Sequence, residues 1–318
     1  YRKALDLPTQ VTEVYTPLAQ GEYNINYVFT HPKTGQKLVF RLNAASQMHL
    51  DHQIEYEYNA LVLLQNSGRT PKPLFVDGTK SIIPYGVLVM EWLPGDVLHY
   101  EEHLFLAADC LADIHATDAT LHRLMVPEKP LLAILEECET MFSHYKESPL
   151  AKKDVIDIVT RMLTKGWEKA NAFDEPFFPV IVNTEINSTN FLVKDGFATL
   201  VDWEKPLFSD PAQDLGHFLA PTTTFWKTDV ILDDKTMDAW IDAYVKAVRG
   251  RFPLFDIHTR TKMFIAITCL RGITWSAMAW IQYQDPEKLI FNQSTFDKLK
   301  AYLDLALLAS IEERFFTN

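Results

Sequence analysis

Hydrophobic positions in the first 93 residues follow the pattern of strands around one helix. The runs "NINYVFTH" and "QKLVFRLN" are rich in strand-forming residues, and turn residues join them, which predicts a hairpin. Two further runs, "PLFVDG" and "YGVLVMEWL", predict two more strands. Between these pairs, apolar residues recur at helical spacing over about residues 50–66, and Gly68 and Pro71 supply stop signals. This part is predicted to be a small sheet with one crossing helix.

Beyond Pro94-Gly95 the apolar positions follow a helical period. The run "EEHLFLAADCLADIHATD" places its apolar side chains on one helical face. Strand-like sequence returns only at residues 177–203, and the other predicted helices lie near 131–147, 152–172, 233–249, 258–284 and 293–314. The pattern predicts an α+β chain, with a small β-rich lobe at residues 1–92 joined by a short hinge to a larger helical lobe at 93–318.

Composition narrows the class of protein. The 318 residues are 47% hydrophobic, as in globular proteins, and the formal charge of −12 disfavours a nucleic acid or an anionic membrane as partner. Three widely separated cysteines lack zinc or CxxC spacing, so we expect reduced thiols. No stretch resembles a signal peptide, and the most apolar helix carries Arg271 near its middle, which we expect to make it too polar for a membrane span. A soluble cytoplasmic protein is expected.

Polar residues interrupt the strand-like sequence at "VNTEINSTNFLV", residues 182–193. Glu185 and Asn190 lie in this loop, and after a turn the strand "FATLVDW" reaches Asp202. A hairpin of that length can return Asp202 to the loop. One carboxylate could then orient or deprotonate a hydroxyl, while an amide and a second carboxylate hold Mg²⁺, as phosphoryl transfer requires.

The stretch "NTEINSTNFLV…LVDWEKPLFSDPAQDLG" resembles the signature of the aminoglycoside phosphotransferase and choline kinase superfamily. The usual form of that signature is H-G-D-x-x-x-x-N, then I-D-W/F-E, then D-P-x-x-D-L. The resemblance implies a bilobed protein-kinase-like fold that uses ATP and Mg²⁺. It places Glu185 at the catalytic acid, Asn190 and Asp202 at the metal, and Asp214 at the acid of the D-P-x-x-D-L helix start.

The resemblance extends upstream and covers about residues 16–220. "LAQGEYNINYVF" is similar to the glycine-containing loop of the family, and "VLVMEWLPG" is similar to its hinge strand. The helices after residue 220 correspond to the variable substrate-binding region. The residues that the resemblance assigns to the nucleotide are Gly21, Asn24, Arg41 with its partner Glu57, and the adenine-flanking Glu91 and Trp92.

Each of these pieces also has a purely structural explanation. Gly21 alone would be a turn, and Arg41 with Glu57 a surface ion pair of little energetic value. Asp210 would be a helix N-cap before Pro211, and His115 a hydrogen-bonded core residue. What packing does not explain is six elements in the family's order and spacing.

The chain departs from the family at Asn183-Thr184-Glu185, where His-Gly-Asp is usual. Thr184 is expected to be a mild change, and Asn183 keeps hydrogen bonding but cannot be charged. Glu185 keeps the carboxylate but adds one methylene, about 1.5 Å of bond. A displacement near 1 Å can cost on the order of a hundredfold in rate. Arg41 replaces the lysine of protein kinases, with forked instead of point-charge contact to phosphate.

Two hypotheses follow from different classes. The first is an ATP- and Mg²⁺-dependent kinase that phosphorylates a hydroxyl of an amino alcohol, an amino sugar or a related metabolite. The second is a nucleotide- or ligand-binding pseudokinase, marked by Glu185. ATP and GTP both stay open. The candidate substrate contacts are Glu204 and three aromatic residues of the C-terminal helices that could instead fill the core, Trp275, Trp280 and Tyr283.

Overall fold

The computed structural model describes residues 1–21, 23–46, 48–173, 176–285 and 292–317. Within these ranges the chain is mixed α+β, with a β-rich N-terminal sheet and a mainly helical C-terminal part. It divides into two compact units. The first comprises Tyr1–Val126, Pro179–Phe208 and Asp242–Phe252, and the second comprises Pro127–Phe178, Ser209–Ile241 and Pro253–Asn318. The predicted lobe boundary after residue 92 stays a prediction.

Five antiparallel strands form the sheet of the first unit. Their order is β1-β2-β3-β5-β4, and their bounds are β1 Thr16–Gln20, β2 Asn24–Thr30, β3 Lys37–Asn43, β4 Pro73–Asp77 and β5 Gly86–Glu91. The four strands predicted from the sequence are confirmed. The β2–β3 register pairs Asn24 with Asn43 and Asn26 with Arg41, so these polar residues lie side by side.

The sheet packs a hydrophobic core that includes Phe29, Phe40 and Val89. Helix α1, Gln53–Leu64, packs against β4 and β5, confirming the predicted crossing helix. A 3₁₀ turn follows it and ends at Gly68 in the left-handed conformation, as the stop signal predicts.

The remaining elements of the first unit include the two-stranded hairpin that follows the polar loop, residues 191–200, which is called the polar hairpin. They are β6 Asp96–Val97, α2 Tyr100–His115, β7 Val180–Val182, β8 Phe191–Lys194, β9 Phe197–Leu200 and β10 Leu207–Ser209. Strands β6, β8 and β9 form one small sheet, and β7 pairs with β10. Gly95 has a φ of 144°, and a Cβ there would lie 2.9 Å from the carbonyl oxygen of Val193. A glycine is therefore needed where the chain enters β6.

The second unit is helical around α8. The helices that follow the first unit's α2 are α3 Pro130–Lys146, α4 Lys153–Ala172, α5 Pro211–Leu219, α6 Pro221–Lys227, α7 Asp234–Val248, α8 Ile257–Gln282, α9 Gln293–Tyr302 and α10 Leu305–Phe316. The boundary between the units falls within α7. Gly216 lets α5 approach α8 closely, since a Cβ there would lie 2.4 Å from the Cβ of Phe264.

One predicted helix is wrong. The segment 293–314 is two helices, because Asp304 caps a new helix by accepting hydrogen bonds from Ala306 N at 3.0 Å and Leu307 N at 3.3 Å. The predicted N-cap at Asp210 is confirmed, with Ala212 N donating to its Oδ1 at 2.8 Å. Aspartate side chains thus begin both α5 and α10.

Helix α8 passes the criteria of length and composition for a membrane span, so the expectation that Arg271 makes it too polar is not confirmed. However, 67% of its most apolar window is buried inside the protein, as in the core helix of a soluble domain. The three cysteines, Cys110, Cys138 and Cys269, are buried free thiols.

Candidate functional site

Backbone and side-chain hydrogen bonds join the polar loop to the chain around Asp202. Val201 N donates to the carbonyl of Asn190 at 2.9 Å. Asn183 Nδ2 donates to the carbonyl of Asp202 at 2.7 Å, and Thr184 Oγ1 donates to that of Lys205 at 2.8 Å. The predicted return of Asp202 to the loop is therefore present in the structure.

Two residues of this region have left-handed backbone conformations. Thr184 has φ of 74° and Asp202 has φ of 67°. The left-handed region costs a β-branched residue roughly 1–2 kcal/mol relative to its preferred conformations. Threonine at this position is therefore not the mild change expected from the sequence, because a glycine would adopt the same φ without that cost.

Arg41 joins the sheet, α1 and the hairpin. Its Nη1 donates to Glu57 Oε1, its Nη2 to Asp202 Oδ1 at 3.1 Å, and its Nε to Asn26 Oδ1 at 2.9 Å. Arg41 and Glu57 are buried, whereas the Asp202 side chain is 42% exposed. The predicted pair is therefore no surface ion pair, and Asp202 is its solvent-facing end.

Charge interactions among Arg41, Glu57 and Asp202 shift the pKa values of the two buried groups, Arg41 and Glu57. Burial acts to lower the pKa of Arg41, but attraction to Glu57 and Asp202 outweighs it and raises that pKa. Burial raises the pKa of Glu57, and repulsion from Asp202 adds to this against the attraction of Arg41. Arg41 is therefore cationic, and its charge holds two carboxylates that would otherwise repel each other.

Glu204 adds a further carboxyl to the same group. Asn24 Nδ2 donates to its Oε2, and Asn43 Nδ2 donates in turn to Asn24 Oδ1 at 2.9 Å. Burial raises the pKa of Glu204 to about 8, and repulsion from Asp202 contributes, although Arg41 opposes both. Asn24 thus lies beside the acidic group, and burial favours the protonated form of Glu204.

Glu185 lies beside Lys205, with 3.7 Å between Oε1 and Nζ. The backbone N–H of Glu185 donates to Asn183 Oδ1 at 3.3 Å. Glu185 also contributes to the repulsion that raises the pKa of Glu204. Glu185 and Asp202 therefore both act electrostatically on Glu204.

Asn190 ends a 3₁₀ turn, Ser188–Asn190. Its Oδ1 is buried, and no residue that the structure describes donates a hydrogen bond to it. Such an orphaned acceptor is costly unless a ligand satisfies it. Amide and carboxylate oxygens are ligands that Mg²⁺ prefers, so Asn190 and the half-exposed Asp202 fit this ion. Within the described ranges no group of three or more His, Cys, Asp or Glu residues could hold a metal ion.

The other residues assigned to the nucleotide lie around the N-terminal sheet. Gly21 N donates to the Asn24 carbonyl at 2.9 Å in the β1–β2 turn. Glu91 ends β5, and Trp92 follows with the ammonium of Lys37 4.8 Å from its ring centroid. These positions are near strand ends, where loops carry binding groups.

The aromatic substrate candidates lie on or just after α8, in the second unit, and all three are partly buried. Their ring partners differ. Trp275 packs edge-on against Trp226, Trp280 packs against Tyr145, and Tyr283 stacks on Phe296.

Two further predictions concern buried residues. His115 forms a 2.8 Å hydrogen bond with Tyr244, so its interpretation as a core histidine is confirmed. Asp214 is fully buried on α5.

Three neighbours of the site were missed from the sequence. Asn26 and Asn43 could have been found from the β2–β3 hairpin, because equal spacing from its turn makes them partners of Arg41 and Asn24. Lys205 follows Glu204 directly, but a lysine in a loop carries no signal of its partner.

Comparison with known proteins identifies the family of the chain. The profile of the phosphotransferase enzyme family, APH, matches residues 14–254. No match was found among curated protein sequences.

Several solved structures share the fold. A choline/ethanolamine kinase family protein from Mesorhizobium loti is 16% identical, with a TM-score of 0.62 over 96% of this chain and 94% of its own. Choline kinase from Cryptosporidium parvum is 13% identical, with a TM-score of 0.64 over 98% and 93%. A spectinomycin phosphotransferase, solved with ADP and spectinomycin, is 11% identical, with a TM-score of 0.63 over 96% and 93%.

The family profile spans three quarters of the chain, including β2, α1 and the whole polar hairpin. The predicted relationship, the protein-kinase-like α+β fold and the assignment as a small-molecule kinase are thereby confirmed. The chain belongs to the phosphotransferase enzyme family.

Proposed function

We propose that the protein transfers the γ-phosphoryl group of ATP to a hydroxyl group of a small molecule, with Mg²⁺ as cofactor. The observation that carries the proposal is that the buried Asn190 Oδ1 accepts no hydrogen bond from the described residues. The backbone carbonyl of Asn190 accepts a hydrogen bond from Val201 N, and Val201 directly precedes Asp202. A buried amide oxygen with no donor among the described residues and an aspartate carboxylate, which in this chain is paired with Arg41, are both ligand types suited to a divalent cation.

Asn190 and Asp202 would hold the ion, and Mg²⁺ when bound would neutralise negative charge on the phosphate oxygens. Arg41 is kept in place by Glu57 and Asn26. It would contact the phosphates through Nη2, the nitrogen that donates to Asp202. This division leaves little covalent work to the protein. Catalysis would rest on positioning and on charge stabilisation.

Glu185 would act on the acceptor. Its carboxylate would accept the proton of the acceptor hydroxyl while the acceptor oxygen bonds to the γ-phosphorus. The bond from that phosphorus to the β,γ-bridging oxygen breaks, and ADP leaves.

The acceptor is proposed to be an amino alcohol, an amino sugar or a related metabolite. The formal charge of −12 favours cationic ligands. Within the first unit, Glu204 is a candidate acidic contact for an ammonium group. Within the second unit, the partly buried Trp275, Trp280 and Tyr283 are candidate aromatic contacts for such a group. The names of the related structures, choline kinase and spectinomycin phosphotransferase, support hydroxyl compounds of this kind.

The nucleotide would bind to the N-terminal 92 residues. Gly21 and Asn24 would approach the phosphates, and Glu91 with Trp92 would flank the purine. A cytoplasmic location, where ATP is available, agrees with three free buried thiols.

One observation favours a second function, that of a catalytically impaired pseudokinase. Glu185 is longer than the family's aspartate and is paired with Lys205, which could hold its carboxylate away from an acceptor.

The decisive experiment measures ADP formation from ATP with and without Mg²⁺, across hydroxyl compounds first chosen by thermal shift. We expect Mg²⁺-dependent turnover in the wild type and none in Asp202→Ala. Asp6→Ala is the matched control, since Asp6 forms an exposed ion pair elsewhere in the first unit. Nucleotide binding without turnover by any acceptor, including in Glu185→Asp, would establish the pseudokinase instead.

A further inference from the structure

Lys205 contacts the polar loop, residues 182–193, at two points. Its carbonyl accepts a hydrogen bond from Thr184 Oγ1 at 2.8 Å, and its Nζ lies 3.7 Å from Glu185 Oε1. Consecutive residues of one loop therefore contact the backbone and the side chain of the same lysine. The hydrogen bond fixes the position of the Lys205 backbone relative to the loop, so the ammonium reaches Glu185 from an anchored base.

We propose that Lys205 is a positioning residue for the Glu185 carboxylate in phosphoryl transfer, an inference that rests on the proposed function. Glutamate has three side-chain torsions, one more than aspartate, so its carboxylate samples more positions when untethered. A proton acceptor must lie within about 2.6–3.2 Å of the hydroxyl that it serves. The ammonium of Lys205 restricts the carboxylate to the subset of rotamers that reach it.

The pair differs from the exposed ion pairs of the same unit. The side chains of Lys205 and Glu185 are 21% and 28% exposed, whereas those of Lys33 and Asp6 are 47% and 86% exposed. Exposed pairs gain little because water screens them and both side chains lose freedom. Partial burial and the Thr184 anchor reduce both losses for Lys205.

The acidic side chains around Glu185 also favour the presence of the Lys205 ammonium. Glu204, Asp202 and Glu57 lie in the same electrostatic group, and Arg41 contacts Glu57 and Asp202. Without Lys205, the Glu185 carboxylate would lose the attraction of this ammonium, while the repulsion between Glu185 and Glu204 would remain whenever Glu204 is ionised. Lys205 therefore keeps the carboxylate in the site as well as oriented.

The test is a double-mutant cycle on kcat for turnover of MgATP. It is measured without an added acceptor, when water takes the phosphoryl group, and again with the most active compound of the acceptor screen. The single variants are Lys205→Met and Glu185→Asp, combined in a double variant, and Lys33→Met is the matched control. We expect Lys205→Met to lower kcat about tenfold to a hundredfold while KM for ATP stays unchanged. Lys205→Arg restores most of the loss. In the Glu185→Asp background the same substitution has a much smaller effect, because the shorter carboxylate no longer reaches the ammonium.

Melting temperature and ADP affinity, which we expect to be unchanged in Lys205→Met, separate positioning from folding. Lys205→Gln replaces Lys205→Met if the latter is unstable. An equal loss of kcat in both backgrounds, a rise in KM for ATP alone, or no loss would overturn the positioning role while leaving the kinase proposal intact. A wild type that consumes no ATP with Mg²⁺ would overturn the kinase proposal and this inference together.

Discussion

Arg41 in the first unit and Arg260 in the second are both buried arginines paired with an aspartate. Arg260 Nε donates to Asp210 Oδ2 at 2.9 Å, and Arg260 Nη1 donates to the Leu254 carbonyl at 2.9 Å. The Asp210 side chain is 4% exposed and also caps α5, whereas the Asp202 side chain beside Arg41 is 42% exposed.

The comparison of the two arginines shows which feature distinguishes the candidate functional site from a structural ion pair. Burial and ion pairing occur at both arginines, so neither separates function from structure. At Arg41 the pairing ends in a solvent-facing carboxylate, and left-handed residues lie nearby at Asp202 and Thr184. The group at Arg260 also has a left-handed neighbour, Phe255, and its Nη2 is buried with no hydrogen-bond partner among the described residues. The feature that differs is therefore the exposure of the aspartate, which solvent or a ligand can reach at Asp202 and not at Asp210.

The largest expected effect comes from Arg260→Met. The substitution leaves the buried carboxylate of Asp210 without its cation, which should lower the free energy of unfolding by about 3–5 kcal/mol. Urea unfolding measures this, with Arg161→Met as the control, since Arg161 pairs with Glu312 at an exposed position. We expect kcat per folded molecule to survive Arg260→Met but not Arg41→Met. Equal losses of kcat would remove the contrast between the two arginines.

Next in size is Asn190→Ala. We expect phosphoryl transfer to fall on the order of a hundredfold or more. Stability should stay the same or rise, because the substitution removes a buried acceptor that has no donor among the described residues.

Asn187→Ala is the matched control in the same turn. Asn187 Oδ1 accepts from Thr189 N at 2.9 Å, so its loss should cost about 1 kcal/mol of stability. An Asn190→Ala variant that is clearly less stable than wild type would show that the amide has a structural partner.

A smaller effect is expected at Thr184. Replacement by glycine relieves roughly 1–2 kcal/mol of left-handed strain but removes a hydrogen bond worth about 1 kcal/mol, so stability should change little. Valine keeps the strain and removes the bond, and should destabilise by about 1 kcal/mol or more. Thermal unfolding of the two variants checks this order, and a valine variant as stable as the glycine variant would contradict it.

The smallest effect concerns pH and Glu204 in metal-free protein. The folded state keeps a proton on Glu204 between the ordinary pKa of 4.5 and about 8, where the unfolded chain has lost it. Stability of the wild type should therefore fall as pH rises through this window. Glu204→Gln removes that slope, so its melting temperature relative to wild type should increase from pH 5 to pH 8. A constant difference across the window would place the pKa of Glu204 near its ordinary value.

Much of the fold could be predicted because it depends on local pattern. Runs of strand-forming residues predicted four of the sheet strands, turn residues located the β2–β3 hairpin, and Gly68 marked the end of the crossing helix. The break at Asp304 was missed because the apolar spacing continues across it and only a cap reveals the boundary. The division into two units depends on contacts between distant segments and has no local signal.

The site was predictable as a set of residues but not as a set of contacts. Hairpin length pointed to Asp202, the resemblance to the family assigned Arg41 and Glu57, and the structure joins the three. The left-handed φ of Thr184 and the contact of Lys205 with Glu185 depend on how the hairpin closes. Such features follow from tertiary structure, which overrides residue preferences.

The most direct test of the account is calorimetric titration of ADP with and without Mg²⁺ in wild type, Asn190→Ala and Asp202→Ala. We expect Mg²⁺ to tighten ADP binding by the wild type, and expect both variants to retain the metal-free affinity while losing that increase. An Mg²⁺-dependent increase that survives in both variants would contradict the claim that Asn190 and Asp202 hold the ion.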